Sequence, residues 1–184
     1  LHKSSHSFPT RRSSDLDYTV VCAVAQDAEE NIYVLDYWRE RTGDIDVIVE
    51  QMFRMSSEYH ADLVHIETVQ YQQAVANHFY KRMRERNHYV GVIETKPRTS
   101  KDARIRSLQP YYAAGKMNHR RWMEDLEREL ETYPNSSHKD LLDALYYAVD
   151  VSSAPQMGAF RQGSAYGKRS VSDKRIEVVD WLVL

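Results

Sequence analysis

The chain has 184 residues, 42% of them hydrophobic and 28% charged, enough for one domain with a real core and little more. No apolar run approaches the roughly 20 residues that span a bilayer, so no membrane anchor is expected. The formal net charge is only -2, but Lys81 to Arg121 carries twelve Lys/Arg against three acids, while the rest carries 13 against 24. That asymmetry fits a phosphate-contacting face, although a solvated helix surface is the commoner cause of a charge run.

The first sixteen residues stand apart. Phe8 to Leu16, FPTRRSSDL, is similar to the translation of a common short-read sequencing adapter, and the stretch has no apolar core of a signal peptide. Residues 1–16 are therefore read as a non-native segment, with native sequence starting near Asp17. Residues 18–25, YTVVCAVA, and 32–38, IYVLDYW, read as two strands of a hairpin around a polar turn. The single cysteine, Cys22, lies in the first of these and is expected to be a buried structural thiol, as suits a reducing cytoplasm. Asp44 is placed to cap a helix with the stripe Ile45, Ile48, Met52 and Met55, ending near His60.

Next comes a short apolar run, Leu63-Val64-His65-Ile66, that ends abruptly in Glu67. A helix-like pattern follows, with Val69, Ala74, Val75 and Phe79 at helical spacing. A carboxylate at the carboxyl end of a strand, just before a helix, is where α/β proteins often place chemistry. A strand-end acid that simply faces water is the plainer reading. Residues 89–95 form a further strand. Thr99-x-x-Asp102 then resembles a capping box opening a helix to about Ala114, with Gly115 as its stop.

A helix over 122–133 carries the stripe Trp122, Leu126 and Leu130. Another over 139–151 has a core stripe of Leu141, Leu142, Leu145, Ala148 and Val149. Asp140 and Asp143, three residues apart, project near one another on a different flank of that last helix. Ser137-x-x-Asp140 is also a capping pattern, which would give Asp140 a purely structural role. Residues 152–172 are rich in Gly, Ser and Gln, so 152–184 is read as a flexible tail. Its apolar end, 176–184, has three alternatives: docking back on the domain, binding a partner, or being the start of something cut off. The order of elements predicts a mixed sheet with helices on both faces.

Taken together, DYTVV with NIYVLDYW, VHIETVQYQQA, KPRTSKDARIRSLQPYYAAGKM and HKDLLDALYYA resemble the nuclease domain of the large terminase subunit of tailed bacteriophages. The likeness covers residues 17–151. It implies an α/β fold of the RNase H-like kind, a mixed sheet flanked by helices, and a site where three acids hold two divalent metal ions, Mg²⁺ or Mn²⁺. Such ions stabilise both the attacking and the leaving oxygen of a phosphodiester, and they take hard oxygen ligands.

By position, Glu67 matches the second acid and Asp140 the third, with Asp143 as an auxiliary ligand or supporting partner. The family often has two adjacent acids where this chain has Lys139-Asp140, so which aspartate coordinates stays open. The first acid belongs to a strand upstream of residue 17. The resemblance therefore implies that the chain lacks that aspartate and the central strand bearing it, and is inactive as it stands.

Lys101 and Arg104 match family positions near the DNA or the site, and Lys96, Arg98 and Arg106 add cations for phosphate contact. His65 shares a strand face with Glu67 but is expected to be a packed or exposed histidine rather than a ligand, and Tyr111-Tyr112 to pack in the helical core or at its rim rather than stack on nucleic acid. The implied substrate is concatemeric double-stranded DNA. Implied partners are an ATPase domain, a portal protein and a small terminase subunit, in the host cytoplasm and transiently at the procapsid portal. No Walker motif occurs, so ATP hydrolysis is not expected of these residues. The alternatives are another RNase H-like nuclease, of resolvase or transposase type, and a non-catalytic domain that clamps DNA or docks on the portal.

Overall fold

The structure, a computed structural model, describes residues 18–68, 70–152 and 177–183. Among the described residues, six helices flank one sheet of six strands. The hairpin strands are β1 (Thr19–Gln26) and β2 (Ile32–Glu40), antiparallel, with a bulge between Ala23 and Val24. Their turn is organised by Asp27, whose carboxylate accepts the backbone N–H groups of Glu29 and Asn31. Helix α1 (Ile45–Glu58) starts where expected, with Asp44 accepting the N–H groups of Asp46 and Val47.

β3 (Leu63–Glu67), α2 (Gln70–Arg86) and β4 (Gly91–Thr95) form a parallel strand–helix–strand unit, in which Glu67 and Thr95 end level with each other. Of the expected α2 stripe, Val69 lies outside the described residues, Val75 and Phe79 are buried, and Ala74 is exposed while Ala76 takes its inward place. The helix expected over 99–114 is two pieces, α3 (Lys101–Arg106) and α4 (Gln109–Ala113). Ser100, not Thr99, caps α3 through the Ala103 N–H, and Pro110 sits in the first turn of α4, where its missing N–H costs nothing. Gly115 adopts a left-handed φ of 65° and stops the segment as expected.

A two-residue strand, β5 (Met117–Asn118), then pairs with β2. Helix α5 (Glu124–Thr132) begins after Trp122, which is 57% exposed; Met123 fills the inward position assigned to it. Helix α6 (Asp140–Ser152) follows, and β6 (Glu177–Val183) closes the list.

The strand order is β4-β3-β6-β1-β2-β5. β6 thus lies in the middle, antiparallel to β1 and parallel to β3. The sequence assigns these residues to the tail and implies a sheet without its central strand. In the structure that gap, flanked by β1 and β3, is filled by the chain's own apolar end, the docking alternative.

The sheet divides two cores. Val20, Cys22 and Val24 of β1 pack with the α6 stripe, and Val21 and Ala23 pack with α1 and α2. That is the period-2 alternation of a strand covered on both sides. Cys22 is a buried thiol outside any disulfide, as expected. Among the described residues no helix is long and apolar enough to cross a membrane.

Candidate active site

Three segments distant in sequence meet at the carboxyl ends of β3 and β4. β3 delivers Glu67, α3 delivers Lys101 and Arg104, and the first two turns of α6 deliver Asp140, Asp143 and Tyr147. The alternation of β3 puts Val64 and Ile66 in the α1/α2 core, so His65 and Glu67 turn to α6. On α6, Asp140, Asp143 and Tyr147 stand three and four residues apart and share one flank.

Arg104 is the hub. Its Nε and Nη2 donate to Asp143 Oδ1 and Oδ2 at 2.7 and 2.6 Å, a two-pronged fork. Nη2 also lies 3.9 Å from Glu67 Oε1, and Nη1 donates to the Thr99 carbonyl at 2.8 Å. Burial works against the charge of this guanidinium, but the Asp143 carboxylate overrides it and the pKa is raised. Lys101 Nζ donates to Asp140 Oδ1 at 2.7 Å. Lys139 ties α6 to α3 through Asp102 at 3.0 Å.

Tyr147 donates its hydroxyl hydrogen to Glu67 Oε1. Burial first, and the Glu67 hydrogen bond second, push its pKa upward. The ring packs edge-on against His65 at 5.5 Å and lies 5.0 Å from the Arg104 guanidinium carbon. His65 is fully buried, with its Nε2 against Thr95 Oγ1, and burial drives its pKa down to about 3. It is the packed one of the two non-ligand alternatives that the sequence leaves open, and its burial favours the neutral ring.

Glu67, Asp140 and Asp143 are all nearly inaccessible, so the bland reading of Glu67 as a solvated strand-end acid does not hold. A family model for the terminase RNaseH-like domain matches residues 9–151.

The chain belongs to that family.

The match takes in residues 9–16, which the sequence reading sets apart. Among curated proteins and solved structures, none matches significantly. As a terminase RNaseH-like domain the chain is a nuclease domain of a DNA-packaging terminase, and RNase H-like nuclease domains generally use divalent metals.

The terminase residues proposed from sequence fall into two groups. Glu67, Asp140, Asp143, Lys101 and Arg104 converge. Lys96 and Arg98 lie exposed on the loop between β4 and α3, and Arg106 is exposed at the end of α3. Arg104 is not a surface cation, because it is 7% exposed and committed to Asp143.

The carboxylate oxygens have the chemistry a hard cation takes. Among the described residues no group of three or more His, Cys, Asp or Glu is set to hold an ion. Lys101 and Arg104 balance the acids instead.

Two residues of the site are absent from the sequence reading. Tyr147 was visible in principle, as the position four residues beyond Asp143 on the same flank. Glu129 was not. Buried on α5, it accepts the Leu142 N–H in the first turn of α6 at 3.2 Å and lies 3.5 Å from Arg39 of β2. Burial raises its pKa, against the opposing pull of the Leu142 N–H and Arg39.

Proposed function

We propose that this domain hydrolyses phosphodiester bonds of concatemeric double-stranded DNA during phage packaging, with Glu67, Asp140 and Asp143 as its acidic centre. The observation that carries the reading is the convergence of these acids on Arg104 and Lys101 at the ends of β3 and β4, within a chain of the terminase family. Exposed Lys96, Arg98 and Arg106 lie on the segment leading to the same place, where they hold the duplex by its phosphates without reading sequence.

Glu67 and Asp140, with Asp143 beside them, are the oxygen ligands that would hold a divalent ion, and no step is routed through it. What the chain's own groups do is hold charge in reserve. Lys101, more exposed than Arg104, is the cation that an incoming phosphate draws from Asp140. Arg104 keeps Asp143 and Glu67 in place, and Tyr147 fixes the orientation of the Glu67 carboxylate. Mg²⁺ or Mn²⁺ supplies charge stabilisation to the attacking and leaving oxygens when bound.

Plasmid nicking in Mn²⁺ tests the reading. We expect the chain as it stands to be inactive, and a form extended upstream of Asp17 by its natural sequence to nick. Glu67→Ala or Asp140→Ala should abolish that nicking; nicking that survives both would show the assignment to be wrong.

A DNA-clamping role is the second reading, favoured by the pairing of Asp140 and Asp143 with cations. It predicts duplex binding with no nicking by either form.

A further inference from the structure

The two cations of the acidic centre are held in different ways. Arg104 is locked: its side chain is buried, both Asp143 oxygens accept from it, and the Thr99 carbonyl takes a further N–H. Lys101 is not. Its side chain is 38% exposed, and among the described residues Asp140 Oδ1 is the one group to which its Nζ donates, at 2.7 Å. A single ammonium contact on a flexible stem exchanges readily, whereas a buried guanidinium fork does not.

The acids differ in the same sense. Asp143 gives both oxygens to Arg104. Glu67 accepts the Tyr147 hydroxyl on Oε1, which is also the oxygen nearest Arg104, and among the described residues nothing donates to its Oε2. Asp140 likewise gives Oδ1 to Lys101, and among the described residues nothing donates to its Oδ2. Two carboxylates thus each keep an oxygen for another cation, one at the end of β3 and one in the first turn of α6. Such oxygens are the ligands a hard divalent ion takes.

Crossed bridges decide which cation can leave. Lys101 and Asp102 of α3 face Asp140 and Lys139 of α6, so that Lys101 bonds Asp140 while Lys139 bonds Asp102 at 3.0 Å. The Tyr133 hydroxyl donates to the Asp102 carbonyl at 3.2 Å. α3 therefore stays fastened through Asp102 and Arg104 when the Lys101 side chain swings away.

Resting on the acidic centre proposed above, we infer that Lys101 is the exchangeable counter-ion of Asp140. Its ammonium and a divalent cation occupy Asp140 alternately, while Asp143 serves Arg104 and is not a ligand. The displaced ammonium then meets a DNA phosphate, so ion and duplex each favour the other's binding.

Mn²⁺ titrated into the isotope-labelled chain reads the exchange without any nuclease activity. Broadening of the Glu67 and Asp140 amide signals in NMR places the ion and gives its affinity. Lys101→Met should bind about tenfold more tightly than wild type, the worth of one charge-assisted contact. Lys139→Met removes the same charge one residue from Asp140, but from the Asp102 pair, and should gain clearly less. Lys101→Arg keeps the charge and can fork onto Asp140, so its affinity should fall below wild type. Opposite shifts from Met and Arg are not what a merely loosened α3 would give. On adding Mg²⁺ to wild type, the Lys101 ammonium signal should lose its protection from solvent exchange.

Equal gains from Lys101→Met and Lys139→Met would overturn the exchange, since net charge alone would then decide affinity. So would an unchanged affinity in Lys101→Met with Glu67 and Asp140 still broadened, an outcome that leaves the acidic centre standing. Broadening elsewhere, or nowhere, in every variant would overturn both.

Discussion

Arg104 of α3 grips both carboxylate oxygens of Asp143, thirty-nine residues later on α6, and the same guanidinium faces Glu67 on β3. One buried cation thus joins three elements, and its removal leaves two acids without their counter-charge. Arg104→Ala is expected to destabilise the domain by roughly 3–5 kcal/mol, the usual cost of stranding a buried charge. Arg104→Lys should recover only part of this, since a lysine cannot make the fork. Urea unfolding of the three proteins measures both.

DNA binding separates this arginine from the exposed cations. Lys96→Ala, Arg98→Ala and Arg106→Ala are each expected to lower the salt dependence of duplex affinity by about one phosphate contact, a slope change near 0.9. None should change stability appreciably. For Arg104→Ala the loss should appear in unfolding. A changed stability with Lys96→Ala, or a pure salt-slope effect with Arg104→Ala, would reverse the division.

Two buried rings fix opposite pH limits. His65 has a folded pKa depressed to about 3, below its ordinary 6.5, so an unfolded chain takes up a proton that the folded chain refuses. Its contribution is present above pH 6.5 and is lost as pH falls from there towards 3. The imidazole should stay neutral by NMR at pH 5. Tyr147 is shifted the other way, upward, by burial and by Glu67. Stability from its protonated form is complete below the ordinary value of 10.0 and declines as pH rises above it. Tyr147→Phe should make the alkaline limb of the stability profile shallower by one proton.

The ends of α1 supply a test of folding alone. Asp44→Ala removes the cap for Asp46 and Val47 and should cost about 1 kcal/mol. His60, just past the helix, has a left-handed φ of 55° that penalises any side chain. His60→Gly should relieve roughly 1 kcal/mol of that cost. Thermal unfolding of the two variants should shift in opposite directions.

Much of this was legible where one pattern decides one element. The unbroken apolar run of β1, the cap and stripe of α1, and the switch of period at Glu67 each translate directly into structure. The sequence was silent where a distant partner decides. Arg104 looks like any solvated helix cation, and only Asp143 makes it buried. Trp122 fits a helical stripe by spacing, yet α5 starts two residues later and Met123 fills the core. Residues 177–183 read as apolar, but apolarity does not say which pair of edges will take a strand. The acids were found by type and order, whereas their neutralisation by Lys101 and Arg104 depends on how α3 lies across α6.

Glu129 extends this logic beyond the acids. From α5 it holds the Leu142 amide and faces Arg39, which stacks 3.7 Å over the Tyr18 ring beside β1. The first turn of α6 is therefore anchored from outside, by a relay running back to the hairpin. The spacing between Asp140 and Glu67 is inherited from that anchorage, so the hairpin and α5, which supply none of the acids, act as the jig in which the acidic centre is aligned.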